Sequence, residues 1–222
     1  MRRIFLSLAA FALAVSVPAA AVAASEVITF ENEGGTVYGT FMMPDGIDGE
    51  APAVLLLHGF TGARDEGPVL QEDGSFTDTM YSRTAEVLAE NGIASLRIDF
   101  RGSGESIDEI GFEETTFSGQ VSDALAAVEW LDGHEGIGDI GVLGLSQGGL
   151  VGSITAASDA RVSSLVLWSP VANPVDTYKT VLGADAVLQG LTQPATEATL
   201  PWGAVVTLNQ PFYQELYTTD PV

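Results

Sequence analysis

Cysteine is absent from the 222 residues, which excludes disulfides, a thiolate nucleophile and zinc held by sulfur. Lysine is nearly absent, Lys179 being the single one, and 8 basic residues face 30 acidic ones for a net charge of −22. A surface of that sign repels nucleic acid and anionic membranes, so neither is expected as a partner. Acidity with so little lysine suits a protein that stays soluble at high salt, where screening weakens self-repulsion. The expected result is an unfolding midpoint that rises between low and molar salt. Histidine occurs at positions 58 and 134 alone. Metal-ligand clusters, a P-loop and a dinucleotide fingerprint are missing, since Arg101-Gly102-Ser103-Gly104 holds a G-x-G without its third glycine. No metal or cofactor is expected.

At the start of the chain, Met1-Arg2-Arg3 is a short basic stretch, residues 4–17 are apolar, and Ala21-Val22-Ala23 offers a small-residue cleavage site. The apolar run is short for a membrane span and lacks a basic flank after it. Residues 1–24 therefore read as a signal peptide, and the mature protein as secreted or periplasmic. The remainder, 25–222, is long enough for one domain with a core of its own.

Residues 26–30 and 36–42 alternate around Asn32-Glu33-Gly34-Gly35, the pattern of an antiparallel hairpin at a sheet edge. Residues 53–57 are a continuous apolar run, as in a strand buried on both faces, and residues 93–100 read as a second buried strand. The first ends in His58-Gly59-Phe60-Thr61-Gly62 and the second in Arg101-Gly102-Ser103-Gly104. Between them a polar, loop-like stretch (63–79) precedes helical spacing over 81–90, closed by Asn91-Gly92. Val121, Ala124, Leu125, Val128 and Leu131 share one face of a helix expected over 117–131. Strand and helix alternate at the pitch of βαβ units, which implies a mostly parallel sheet with helices on both faces. In such sheets chemistry collects at the carboxyl ends of the strands, where His58, Asp99 and Ser146 fall. From residue 171 the rhythm breaks. One helix is expected within 175–191, and proline, glycine and aromatics without βα periodicity suggest an inserted lid or cap over 171–216.

The most informative stretch is Gly144-Leu145-Ser146-Gln147-Gly148, preceded by an apolar strand and followed by a helix-compatible run. A serine there sits on a tight turn in a strained conformation, its hydroxyl lifted above the strand ends. Side chains in place of Gly144 or Gly148 would strike the neighbouring strand or helix. The N–H of Gln147, at a helix N-terminus, can face a developing oxyanion.

With HGFTG after one strand, DFRGSGES after the next and GLSQGG at the turn, the chain resembles the α/β-hydrolase superfamily. Within it the chain looks most like serine esterases that release feruloyl and other cinnamoyl groups. The resemblance implies Ser146 as nucleophile and the N–H groups of Phe60 and Gln147 as the oxyanion hole. His58 and Gly59, with Gly144 and Gly148, would support the site, and the Asp99 loop would be structural. Trp202, Phe212 and Tyr213 would bracket an aromatic acyl group, or simply fill the core beneath the lid. The substrate would be a small or polysaccharide-linked ester, with a peptidase or acyltransferase as the alternative.

This fold orders its triad as Ser, then Asp or Glu, then His, and no histidine follows Ser146. His134 lies before the strand leading to Ser146, roughly 20 Å away at the wrong end of the sheet. His58 is at the correct end, but the family places its backbone near the reaction. Neither is expected to be the base, and Asp220 is not expected to be the acid. The expectation is a truncated domain lacking its last strands and helices, nearly inactive as written and prone to aggregate through an exposed sheet edge. A non-catalytic protein that kept the fold is the other alternative.

Overall fold

Glu33 and Gly34 both take positive φ, 50° and 86°, the tight turn whose twist matches that of paired strands. On either side of it β1 (Ser25–Asn32) and β2 (Gly35–Met42) pair antiparallel. The computed structural model describes residues 24–70, 76–107 and 109–221. The signal peptide read over 1–24 thus lies, save its last residue, outside the described residues.

In chain order there follow β3 (Ala51–Leu57), β4 (Pro68–Leu70), β5 (Phe76–Thr79), α1 (Met80–Glu90) and β6 (Ala94–Ile98). Then come α2 (Phe117–Asp132), β7 (Ile137–Leu145), α3 (Gln147–Ser158) and β8 (Val162–Trp168). The last elements are α4 (Pro174–Val181), α5 (Ala184–Gly190), β9 (Ala195–Thr199), β10 (Val205–Asn209) and α6 (Gln210–Thr218). Six strands form one sheet in the order β1-β2-β6-β3-β7-β8. The β6, β3, β7 and β8 neighbours are parallel, and the N-terminal hairpin joins antiparallel to β6. The α/β reading of the sequence holds.

Alternation along the buried strands sorts the core. Ala53, Leu55 and Leu57 of β3, with Ile140 and Val142 of β7, pack against Ala124, Val128 and Leu131 of α2 and Val151 of α3. Leu56 and Leu143 point the other way, onto Tyr81 of α1. Helices therefore cover both faces, and burial of about 0.8 kcal/mol per methylene drives the layering. α2 begins at Thr116, whose side chain accepts from the Gly119 N–H at 3.0 Å.

Two expectations change. The helix expected within 175–191 is two helices, because Gly183 sits between them at φ 90°, a conformation no helix contains. The stretch read as loop over 63–79 includes the short β4–β5 pair. After α5, β9 and β10 form a hairpin apart from the main sheet, and a second core gathers Leu150, Tyr178, Val187, Leu208 and Phe212. β8 closes the main sheet with Leu165, Val166, Leu167 and Trp168 all more than a third exposed.

Candidate active site

Ser146 has φ 53° and ψ −114°, a backbone conformation that costs of order 1–3 kcal/mol for a residue with a side chain. Its N–H donates to the Trp168 carbonyl and its own carbonyl accepts from Val171, both at 3.0 Å. The two ends of β7 and β8 are thereby laced together beneath the hydroxyl. A Cβ on Gly144 would lie 2.2 Å from the Gly148 carbonyl oxygen, and one on Gly148 would lie 2.1 Å from that of Leu57. The turn closes only because both positions lack side chains.

The loop after β3 comes up against this turn. A Cβ on Gly59 would stand 3.5 Å from the Ser146 Cβ. Within the loop the Gly62 N–H donates to the Gly59 carbonyl at 3.0 Å, with Thr61 at φ 61°. Neither the Phe60 N–H nor the Gln147 N–H donates a hydrogen bond among the described residues. Both donors are thus without a partner among the described residues, one in the loop that approaches the serine turn and the other at the positive end of the 12-residue α3. Such a pair can stabilise an oxyanion formed on a carbonyl attacked by the hydroxyl.

His58 is buried, and both ring nitrogens are engaged. Nδ1–H donates to the Gly59 carbonyl at 2.8 Å and Nε2 accepts from the Phe100 N–H at 3.2 Å. No lone pair is left for the serine. Burial holds the ring neutral, with its pKa below the usual histidine value, against the opposing pull of the Gly59 carbonyl, Glu66 and Asp99. The unfolded chain, titrating near 6.5, therefore takes up a proton before the folded one does. Stability should be full above about pH 6.5 and decline below it. Urea unfolding between about pH 7 and 5.5 measures this slope, which His58→Gln should flatten. His134 lies at the far end of β7, its ring against those of Phe41 and Trp130 at 4.6 and 4.9 Å.

Asp99, at the carboxyl end of β6, accepts from the Arg64 and Glu105 N–H groups at 2.6 and 3.0 Å and from the Arg64 guanidinium. It fastens the loop of residues 59–66 to the loop after β6. Glu66 accepts from the Gly59 N–H at 2.7 Å. Arg64 and Glu66 carry no motif in the sequence, and only the folded loop reveals them. Of the aromatics placed over the site, Trp202 is 60% exposed, whereas Phe212 and Tyr213 are fully buried. Phe212 stacks on the Phe60 ring at 5.9 Å. No described group of three or more histidines or carboxylates could hold a metal ion.

The family model described as the alpha/beta hydrolase fold matches residues 52–222. An uncharacterised 31.7 kDa protein of Escherichia coli is 31% identical over 129 residues, spanning 57% of this chain and 40% of that one. The putative hydrolase YtaP of Bacillus subtilis is 33% identical over 143 residues, 57% of this chain and 46% of its own length. The chain thus spans less than half the length of the curated relatives it matches. Est1E of Butyrivibrio proteoclasticus, solved with ferulic acid bound, superposes with a TM-score of 0.69 at 24% identity, over 87% of this chain and 72% of that one. With the parallel sheet, the strained serine turn and this match over most of its length, the chain belongs to the α/β-hydrolase fold family.

Proposed function

We propose that this hydrolase-family chain is a serine carboxylic ester hydrolase with Ser146 as its nucleophile. The observation that carries the reading is Ser146 in a strained turn, next to Gln147 and approached by the loop of Gly59 and Phe60, with the Phe60 and Gln147 N–H groups unpartnered among the described residues. The Ser146 oxygen attacks the ester carbonyl, and the oxyanion rests on the two N–H groups. Collapse breaks the bond to the alcohol oxygen, which leaves with the electron pair, while the serine proton passes to solvent. No imidazole is available to take that proton, so acylation is slow and hydrolysis of the acyl-enzyme slower still.

An aromatic acyl group is the substrate class we favour. Phe60 sets a half-buried ring beside the site against Phe112, Tyr178 and Phe212, and Est1E was solved with ferulic acid. We further propose that the 171–216 segment closes over the acyl group and that residues 1–24 direct export.

Incubation with p-nitrophenyl acetate, followed by mass spectrometry of the Ser146 peptide, tests the assignment. An acetyl group should accumulate on Ser146, faster when imidazole is added, and should be absent from Ser146→Ala. Acylation elsewhere, or equal acylation in the alanine variant, would overturn it. Methyl ferulate and aminoacyl p-nitroanilides, run alongside, separate an esterase from a peptidase.

A further inference from the structure

Behind the serine turn runs a buried line of polar side chains that the chemistry above does not use. The Tyr178 hydroxyl donates to Gln147 Oε1. Gln147 Nε2 donates to Gln120 Oε1 at 2.6 Å, and Gln120 Nε2 donates to Thr115 Oγ1 at 3.2 Å. All four residues are at least 97% buried. They come from α4, the start of α3, α2 and the turn before it, segments far apart in the sequence.

With its amide nitrogen on Gln120 Oε1 and its oxygen on the Tyr178 hydroxyl, the Gln147 side chain has both ends engaged. Burial keeps the Tyr178 hydroxyl protonated, its pKa well above the usual tyrosine range, so the donor at the head of the line is permanent. Removing one member leaves a buried amide unpartnered, which costs about 1–3 kcal/mol or a rearrangement that avoids the cost. Gln147 is the residue that would rearrange. It is the first residue of α3 and follows Ser146 directly, so its side chain and its N–H are joined through one Cα and a shift of the first displaces the second.

We propose that Tyr178 and Gln120 are positioning residues, which clamp the Gln147 side chain and thereby aim its backbone N–H at the oxyanion. The inference rests on the ester-hydrolase reading for its catalytic consequence and on the structure alone for the clamp. It also makes α4, the first helix of the 171–216 segment, a direct support of the oxyanion hole. Displacing that helix withdraws the Tyr178 hydroxyl and loosens the hole. The segment and the chemistry are therefore coupled through one side chain.

The test compares the full chain with Tyr178→Phe, Gln120→Met and, as a control destabilised away from the clamp, Val128→Ala, which lies in the main core. Two quantities are read: the saturable rate of Ser146 acetylation by p-nitrophenyl acetate, and the Gln147 backbone amide resonance. Both clamp variants should lower the maximal rate roughly tenfold at unchanged half-saturation and shift the Gln147 resonance. Val128→Ala should lower the melting temperature without doing either. Clamp variants that remain folded with wild-type rate and resonance overturn the proposal. A wild-type chain that never acylates at Ser146 sinks the esterase reading instead, and the resonance alone then decides the clamp. Gln120→Met covers the case in which Tyr178→Phe fails to fold.

Discussion

Gly148→Ala will destabilise the protein by roughly 3–5 kcal/mol in denaturant unfolding, although helix propensity predicts the opposite sign. Gly148 is the second residue of α3, where alanine gains about 1 kcal/mol over glycine on intrinsic preference. The added methyl would meet the Leu57 carbonyl oxygen at 2.1 Å and that of His58 at 2.5 Å. These are backbone atoms of a central strand and cannot swing aside as a flexible side chain would, so α3 must lift off β3. Against a total stability of about 5–15 kcal/mol the loss is severe. It also moves the peptide carrying the loop that faces Ser146. Gly133→Ala supplies the contrast. Its φ is −83° and its nearest prospective neighbour lies at 3.4 Å, so it should leave stability unchanged or raise it by about 0.4–1 kcal/mol.

Asp123→Ala should cost about 3–5 kcal/mol, the range for removing one partner of a buried ion pair. The Asp123 carboxylate is fully buried and accepts from the Asn32 amide at 2.8 Å, the Arg101 N–H at 2.9 Å and the Arg101 guanidinium at 2.7 Å. It thus ties the N-terminal hairpin and the loop after β6 to the middle of α2. Alanine leaves a guanidinium 12% exposed with, among the described residues, only the exposed Glu33 as a charge partner. The number to compare is that of the double variant Asp123→Leu with Arg101→Met. Replacing both charges by apolar groups should recover most of the loss, because the desolvation cost disappears with them. A double variant as unstable as the single one would mean that the packing of these chains, and not their charge, holds the junction.

The features legible in the sequence were those that repeat locally. The apolar run of β3, the Asn32–Gly35 turn and the face of α2 formed by Val121, Ala124, Val128 and Leu131 each follow from spacing over a few residues, and each is in the structure, whereas Leu125, read on the same face, is not among the residues packed in the main core. The serine turn was legible because its two glycines and serine follow an apolar strand and precede a helix-compatible run, the setting a nucleophile turn requires. The break at Gly183 was not, since a glycine in a helical pattern looks the same whether the helix tolerates it or ends there. The β9 strand is five residues of mixed polarity and gave too short an alternation to separate from loop. Asp123, Gln120, Glu66 and Arg64 were invisible for another reason. Their roles depend on partners brought from distant segments, and a buried Gln or Asp looks on paper like a solvated one.

β8 ends the main sheet with Val162–Trp168, a strand that has no charged residue along it, whereas β1 at the opposite rim carries Glu26 and Glu31. An uncharged rim can template a strand donated by another molecule. What keeps two such molecules apart in dilute buffer is the long reach of their acidic coats, a range of about 10 Å at 0.1 M salt that shrinks to about 3 Å at 1 M. Ionic strength should therefore act on this chain in two opposed senses. If brine steadies each molecule, as the acidic composition leads one to expect, the same brine leaves neighbours freest to zip together.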